Sequence, residues 1–99
     1  MEVKIQSIHF DATEKLQAFI EKKIKKFEKQ GDEIRKVEVS LKVVKPATAL
    51  NKEASIKVLL PGEEMFVEKT CDTFEEAIDQ GMPALEKQLA RYKEKLSKK

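Results

Sequence analysis

Lys87, Arg91, Lys95 and Lys98 recur at steps of four, four and three, the spacing that lines side chains along one stripe of an α-helix. Leu85, Leu89, Tyr92 and Leu96 form a neighbouring stripe at steps of four, three and four. A helix built this way buries its leucines and holds a row of cations beside them. From Leu85 onward the chain carries six basic residues (Lys87, Arg91, Lys93, Lys95, Lys98, Lys99) against Glu86 and Glu94, although the whole chain is only +2. Positive charge concentrated on one helix of a nearly neutral protein is suited to phosphate.

A second basic row precedes it. Leu16, Phe19, Ile20, Ile24 and Phe27 mark the apolar stripe of another helix. Lys15, Lys22, Lys26 and Lys29 share one flank of that stripe, while Glu21 and Glu28 share the other. Lys25 points to solvent, and Lys23 sits near the apolar stripe and must snorkel. Charge runs on helices are commonly solvated faces with i,i+4 pairs such as Glu21–Lys25. Solubility alone does not require that the two signs be segregated on both helices. Lysine and arginine rows neutralise backbone phosphates, giving strong salt dependence with little sequence reading. Most of the five phenylalanines fall at core positions, as does Tyr92, so stacking platforms are few. Structured RNA recognised by shape fits better than single strands read base by base.

Other chemistry finds little support. The single histidine, His9, ends a strand among polar residues and reads as a surface side chain. The single cysteine, Cys71, excludes an intramolecular disulfide and a Cys-rich metal site, and reads as a small apolar filler. Three isolated glycines make no phosphate loop. Glu63, Glu64, Glu68, Asp72, Glu75, Glu76 and Asp79, opposed by Lys69, match no EF-hand spacing and read as one solvated face that would repel nucleic acid. No nucleophile–base pair or metal set is present, so an enzyme is not expected, and no cofactor or metal is implied.

Ninety-nine residues suit one domain, here residues 1–99, with a core that needs no metal or disulfide. No apolar run is long enough for a signal peptide or membrane span, so a soluble cytoplasmic protein is expected. Val3 and Ile5 alternate with polar residues in a strand of about residues 2–8. Thr13 suits the cap of a helix over about 14–30, closed by Gly31. Val37, Val39, Leu41 and Val43 give a half-buried strand of about 35–45, ended by Pro46. Ala54, Ile56, Val58 and Leu60 give a third, about 53–60, and Pro61-Gly62 a turn completed by Glu63 and Glu64. The fourth strand, about 65–71, has an ambiguous face, because Met65, Val67 and Cys71 compete with Phe66. Asp72-Thr73 caps a last helix of about 73–97, with a kink expected near 79–83 at Gly81-Met82-Pro83.

The resulting fold class is α+β, in the order β-α-β-β-β-α: a four-stranded mixed sheet with two helices packed on one face. The first crossover makes its two strands parallel, and the short connections after it make the rest antiparallel.

His9-Phe10-Asp11-Ala12-Thr13-Glu14-Lys15-Leu16, then Lys26-Phe27-Glu28-Lys29, Ala77-Ile78-Asp79, and Leu85 through Leu96 (Leu-Glu-Lys-Gln-Leu-Ala-Arg-Tyr-Lys-Glu-Lys-Leu) resemble the ribosome hibernation-promoting factor family. That family is also called the ribosome-associated inhibitor or sigma-54 modulation protein family. The resemblance implies a fold similar to double-stranded-RNA-binding domains. It also implies binding to the small ribosomal subunit and its rRNA at the decoding region, in competition with tRNA and mRNA, so that translation is held off. The family's basic positions fall on Lys23, Lys26, Lys29, Lys87, Arg91 and Lys95. With Lys22, Gln88 and Lys98 from the same flanks, these are the expected RNA contacts. Glu75 stands where the family usually has tyrosine, Gly81-Met82-Pro83 where its helix is usually continuous, and Ala84 where lysine is frequent. The chain resembles a short-form member, without the long form's second domain, and is expected to be a monomer in solution. Two other readings are a general structured-RNA-binding module, which arbitrary duplex RNA would compete for, and a protein-interaction modulator of transcription, whose binding would tolerate salt.

Overall fold

The computed structural model describes residues 2–8, 12–29, 34–44 and 51–97, with side chains up to Lys95 in the last helix. Its elements run β1 (Glu2–Ile8), α1 (Glu14–Glu28), β2 (Lys36–Val43), β3 (Lys52–Leu60), β4 (Glu63–Cys71) and α2 (Phe74–Ser97). The readings at His9, Gly31, Pro46 and Lys98 lie outside the described residues.

The sheet order is β1-β2-β3-β4. β1 and β2 are parallel, with Val3 beside Val37 and Ile5 beside Val39. The β2–β3 and β3–β4 pairs are antiparallel, as short connections require. Register follows the apolar alternation. Val39 lies opposite Ile56, and Ile56 opposite Val67. A slip by one residue would move each of these rows to the other face of the sheet.

One face of the sheet carries both helices. Val37, Val39, Leu41, Ala54, Ile56, Val58, Leu60, Met65, Val67 and Cys71 are buried in the same cluster as Leu16, Ile20, Ile24 and Phe27 of α1 and Ile78, Leu85, Leu89 and Tyr92 of α2. Each fully buried Leu or Ile contributes roughly 1.5–3 kcal/mol relative to exposure. Among the described residues no helix covers the opposite face. It carries Lys57, Glu64, Phe66 and Glu68, and Phe66 remains 51% exposed. The ambiguity of β4 thus resolves toward Met65, Val67 and Cys71.

Glu63 and Glu64 are strand residues rather than connection. Gly62 takes φ +75°, so Pro61 and Gly62 make the whole turn. Glu63 already pairs with Leu60, and Glu64 with Leu59.

Thr13 caps α1, its Oγ1 accepting the Leu16 N–H at 3.1 Å. Thr73 does the same for α2 through the Glu76 N–H, also at 3.1 Å. α2 runs unbroken for 24 residues with Pro83 inside it. Gly81 is buried there, where a Cβ would lie 3.5 Å from Val67 Cγ1, while Pro83 is exposed.

Candidate nucleic-acid interface

The core stripes decide which way the cations point. Burial of Leu16, Ile20, Ile24 and Phe27 leaves Lys22 and Lys26 exposed on α1 and Lys29 exposed at its C-cap. Burial of Leu85, Leu89 and Tyr92 leaves Lys87, Arg91 and Lys95 exposed on α2. Among the described residues, no carboxylate forms an ion pair with Lys22, Lys26, Lys29, Lys87 or Arg91. Five cations therefore stand ready for an outside anion.

Lys23 is differently placed. Its Nζ lies 2.9 Å from Asp79 Oδ1 of α2 and 5.3 Å from the centroid of the Phe19 ring. This half-buried lysine snorkels along Phe19 and ends on a carboxylate of the other helix.

That contact shows which flank of α1 faces α2. At 100° per residue, Lys26 lies about 60° from Lys23 around the helix, whereas Glu21 and Glu28 lie about 140–160° away. The lysine flank of α1 is the one turned toward α2.

The basic flank of α2 turns the other way. Gln88 Nε2 donates to the Phe66 carbonyl oxygen at 3.2 Å, on β4 at the edge of the sheet. Lys95 Nζ lies 4.0 Å from Glu63 Oε1 on the same strand. Gln88 is about 180° around the helix from Asp79, Arg91 about 120° and Lys95 about 160°. Lys87, about 80° from Asp79 and 100° from Gln88, sits on the crest between them. The two basic flanks thus lie on opposite sides of the α2 crest, with Lys87 between.

The acidic stretch does not form one solvated face. Asp79 is held by Lys23, Glu64 Oε1 lies 3.4 Å from Lys57 Nζ, and Glu63 turns to the α2 side beside Lys95. Alternation along β4 sends Glu63 and Glu64 to opposite faces, and the tight turn starts that alternation two residues early. Sequence reading therefore missed Glu63 as a neighbour of the basic row. It also missed Asp79 as a partner of Lys23, since 56 positions separate the two. Tyr92 is core, as its spacing indicates, and its hydroxyl donates to the Pro61 carbonyl at 3.2 Å.

Nothing among the described residues adds a catalytic centre. No group of three or more His, Cys, Asp or Glu could hold a metal ion. Burial, reinforced by Glu76 and Asp72, pushes the Cys71 thiol up and away from thiolate chemistry. No helix among the described residues is long and apolar enough to cross a membrane.

Residues 3–97 match the family model described as Sigma 54 modulation protein / S30EA ribosomal protein. The chain belongs to that family. Its members are ribosome-associated factors rather than enzymes. A ribosome hibernation promoting factor of Pseudomonas putida is 30% identical over 95 residues, spanning 96% of this chain and 89% of that protein. A ribosomal subunit interface protein from Coxiella burnetii superposes with a TM-score of 0.84 at 27% identity, covering 94% of this chain and 98% of the other. The N-terminal domain of Thermus thermophilus Protein Y gives 0.79 at 26% identity, covering 93% and 99%. The β-α-β-β-β-α architecture is common to the chain and these structures.

Proposed function

We propose that this chain is a cytoplasmic ribosome hibernation factor that acts by occupancy. It binds the small ribosomal subunit at the decoding region, covers the sites of tRNA and mRNA, and inhibits translation under stress or in stationary phase. The observation that carries the reading is the set of exposed cations on two packed helices, in a chain of this family. Lys22, Lys26 and Lys29 on α1, with Lys87, Arg91 and Lys95 on α2, are the phosphate contacts. The common core fixes the backbones of the two helices, so the ordering cost left for binding is that of the lysine and arginine side chains themselves. Lys23 contributes by tying α1 to α2 through Asp79.

Six phosphate contacts imply a loss of affinity of roughly a thousandfold between about 50 and 200 mM salt. The test is sucrose-gradient sedimentation of the purified protein with ribosomes at low and raised salt, with and without bound tRNA. Co-migration with the small subunit that is lost at high salt and blocked by tRNA is the expected outcome. Absence of co-migration at low salt, or indifference to tRNA, overturns the proposal.

A further inference from the structure

An open cleft of about 430 Å³ lies between the C-terminal half of α2 and the start of β4, lined by Glu63, Met65, Gln88, Arg91, Tyr92 and Lys95 among others. Its volume is in the range of small-ligand sites. Two of its walls are held in place: Gln88 by its bond to the Phe66 carbonyl, and Tyr92 by burial and its bond to the Pro61 carbonyl. Arg91 and Lys95 bring cations to the lining. Glu63 faces them, with its carboxylate 4.0 Å from Lys95 Nζ and 37% exposed.

A carboxylate is out of place in a site for phosphate alone. Ionised, it accepts hydrogen bonds and donates none. The donors an RNA can offer it are base N–H groups and 2′-hydroxyls. Inside a duplex the Watson–Crick N–H groups are already paired and each 2′-hydroxyl offers a single donor, so the ligand that can satisfy both carboxylate oxygens at once is an unpaired, splayed-out nucleotide. Guanine presents its ring N1–H and exocyclic amino group side by side, one donor for each carboxylate oxygen. Adenine and cytosine present an amino group next to a bare ring nitrogen, which repels the second oxygen. Uracil presents one N–H between two carbonyls.

We infer that this cleft receives one unpaired guanine nucleotide of the bound RNA, with Glu63 reading its Watson–Crick edge. The inference rests on the RNA-binding reading above. Arg91 donates to phosphate through the edge of its guanidinium and offers the plane of the same group for the base to stack on, a platform that unpaired bases use. Lys95, close to Glu63 but not in a tight pair with it, turns to the nucleotide's phosphate. Glu64 also lines the cleft, but its carboxylate is held by Lys57 on the other face of the sheet and takes no part. The cleft would give base preference to an interface otherwise made of backbone contacts.

The experiment uses four hairpin RNAs that differ by one loop nucleotide, G, A, C or U. Their dissociation constants are measured by fluorescence anisotropy at fixed salt for the native protein and for Glu63→Gln. The native protein is expected to prefer the G loop to the U loop by about tenfold, the discrimination of one good two-point base contact. Glu63→Gln is expected to reduce that preference to about twofold or less, while circular dichroism shows the same fold. Equal binding of all four loops by the native protein overturns the inference. So does a preference that survives in Glu63→Gln, or a rise in affinity for all four RNAs by the same factor, which would make Glu63 a uniform electrostatic brake. Sedimentation separates the two readings. Co-migration with the small subunit without base preference overturns the guanine site alone, and base preference without co-migration overturns the ribosomal reading alone.

Discussion

Lys23 and Asp79 join the two helices through an ion pair of 2.9 Å, although 56 positions separate them in the chain. The pair marks the basic flank of α1 as the one facing α2, an orientation set by the core, while Lys22, Lys26 and Lys29 stay exposed. Their side chains are 34% and 53% exposed, so solvent screens much of the attraction. A double-mutant cycle of Lys23→Met and Asp79→Asn, read by urea denaturation, is expected to give a coupling of about 0.2–1 kcal/mol. Coupling indistinguishable from zero would remove the pair as a link between the helices.

The two basic flanks lie on opposite sides of the α2 crest, so in the proposed complex they would meet different phosphates. Lys22→Gln with Lys26→Gln is expected to lower the salt slope of ribosome binding by about two, and Lys87→Gln with Arg91→Gln by about two more. Combined, the effects should add, as for sites with no shared partner. Charge reversal at Lys87 and Arg91 to Glu should abolish co-sedimentation with ribosomes and leave stability within about 0.5 kcal/mol, since both side chains are exposed. Normal sedimentation of that variant would count against α2 as a contact surface.

Gly81 sits buried in the middle of α2, where a Cβ would meet Val67 Cγ1 at 3.5 Å and Ile56 Cδ1 at 3.9 Å, ordinary contact distances. Gly81→Ala is accordingly expected to stabilise the fold by about 0.5–1 kcal/mol, through helix propensity and the filled gap. For a domain of this size that raises Tm by roughly 2–8 °C. Calorimetry showing a lower Tm would mean that α2 lies closer to β4 than these distances indicate.

Glu53 and Glu68 lie diagonally across β3 and β4 on the face away from the helices, since Glu53 pairs with Thr70 and Ser55 with Glu68. Desolvation, with the Glu68 charge and a hydrogen bond from the same pair, raises the Glu53 carboxyl above its ordinary range, against a smaller opposing pull from Lys42. The folded protein therefore holds that proton more tightly than the unfolded chain does. This group's contribution to stability grows as pH falls from neutral through the raised value, and levels off below the ordinary carboxylate value. Glu53→Gln removes that pH dependence. It should also stabilise the protein at pH 7 by about 0.5 kcal/mol, by ending the cross-strand repulsion. Melting curves at pH 7 and pH 4.5 check both effects, and an unchanged pH profile in the variant would dismiss the carboxylate pair.

Local chemistry was enough to place much of this molecule. Alternation at Val37, Val39 and Leu41 and at Ala54, Ile56 and Val58 specified both the strands and their buried faces, because period-two patterning leaves one side of a sheet apolar. Thr13 announced the start of α1, since its hydroxyl satisfies an amide that no helix can satisfy internally. The exposure of Lys22, Lys26, Lys87 and Arg91 followed from helical period alone. β4 was less legible, because its period is readable only once Pro61 and Gly62 are known to close the turn without Glu63. No local pattern encodes the direction in which each basic flank faces. That depends on how the core packs the two helices on the sheet, which the contacts of Asp79 with Lys23 and of Gln88 with the Phe66 carbonyl mark, between residues 56 and 22 positions apart. The cleft at Glu63 has the same origin. It exists because α2 folds back antiparallel to β4, and long-range packing of that kind is set by the whole core rather than by any segment of it.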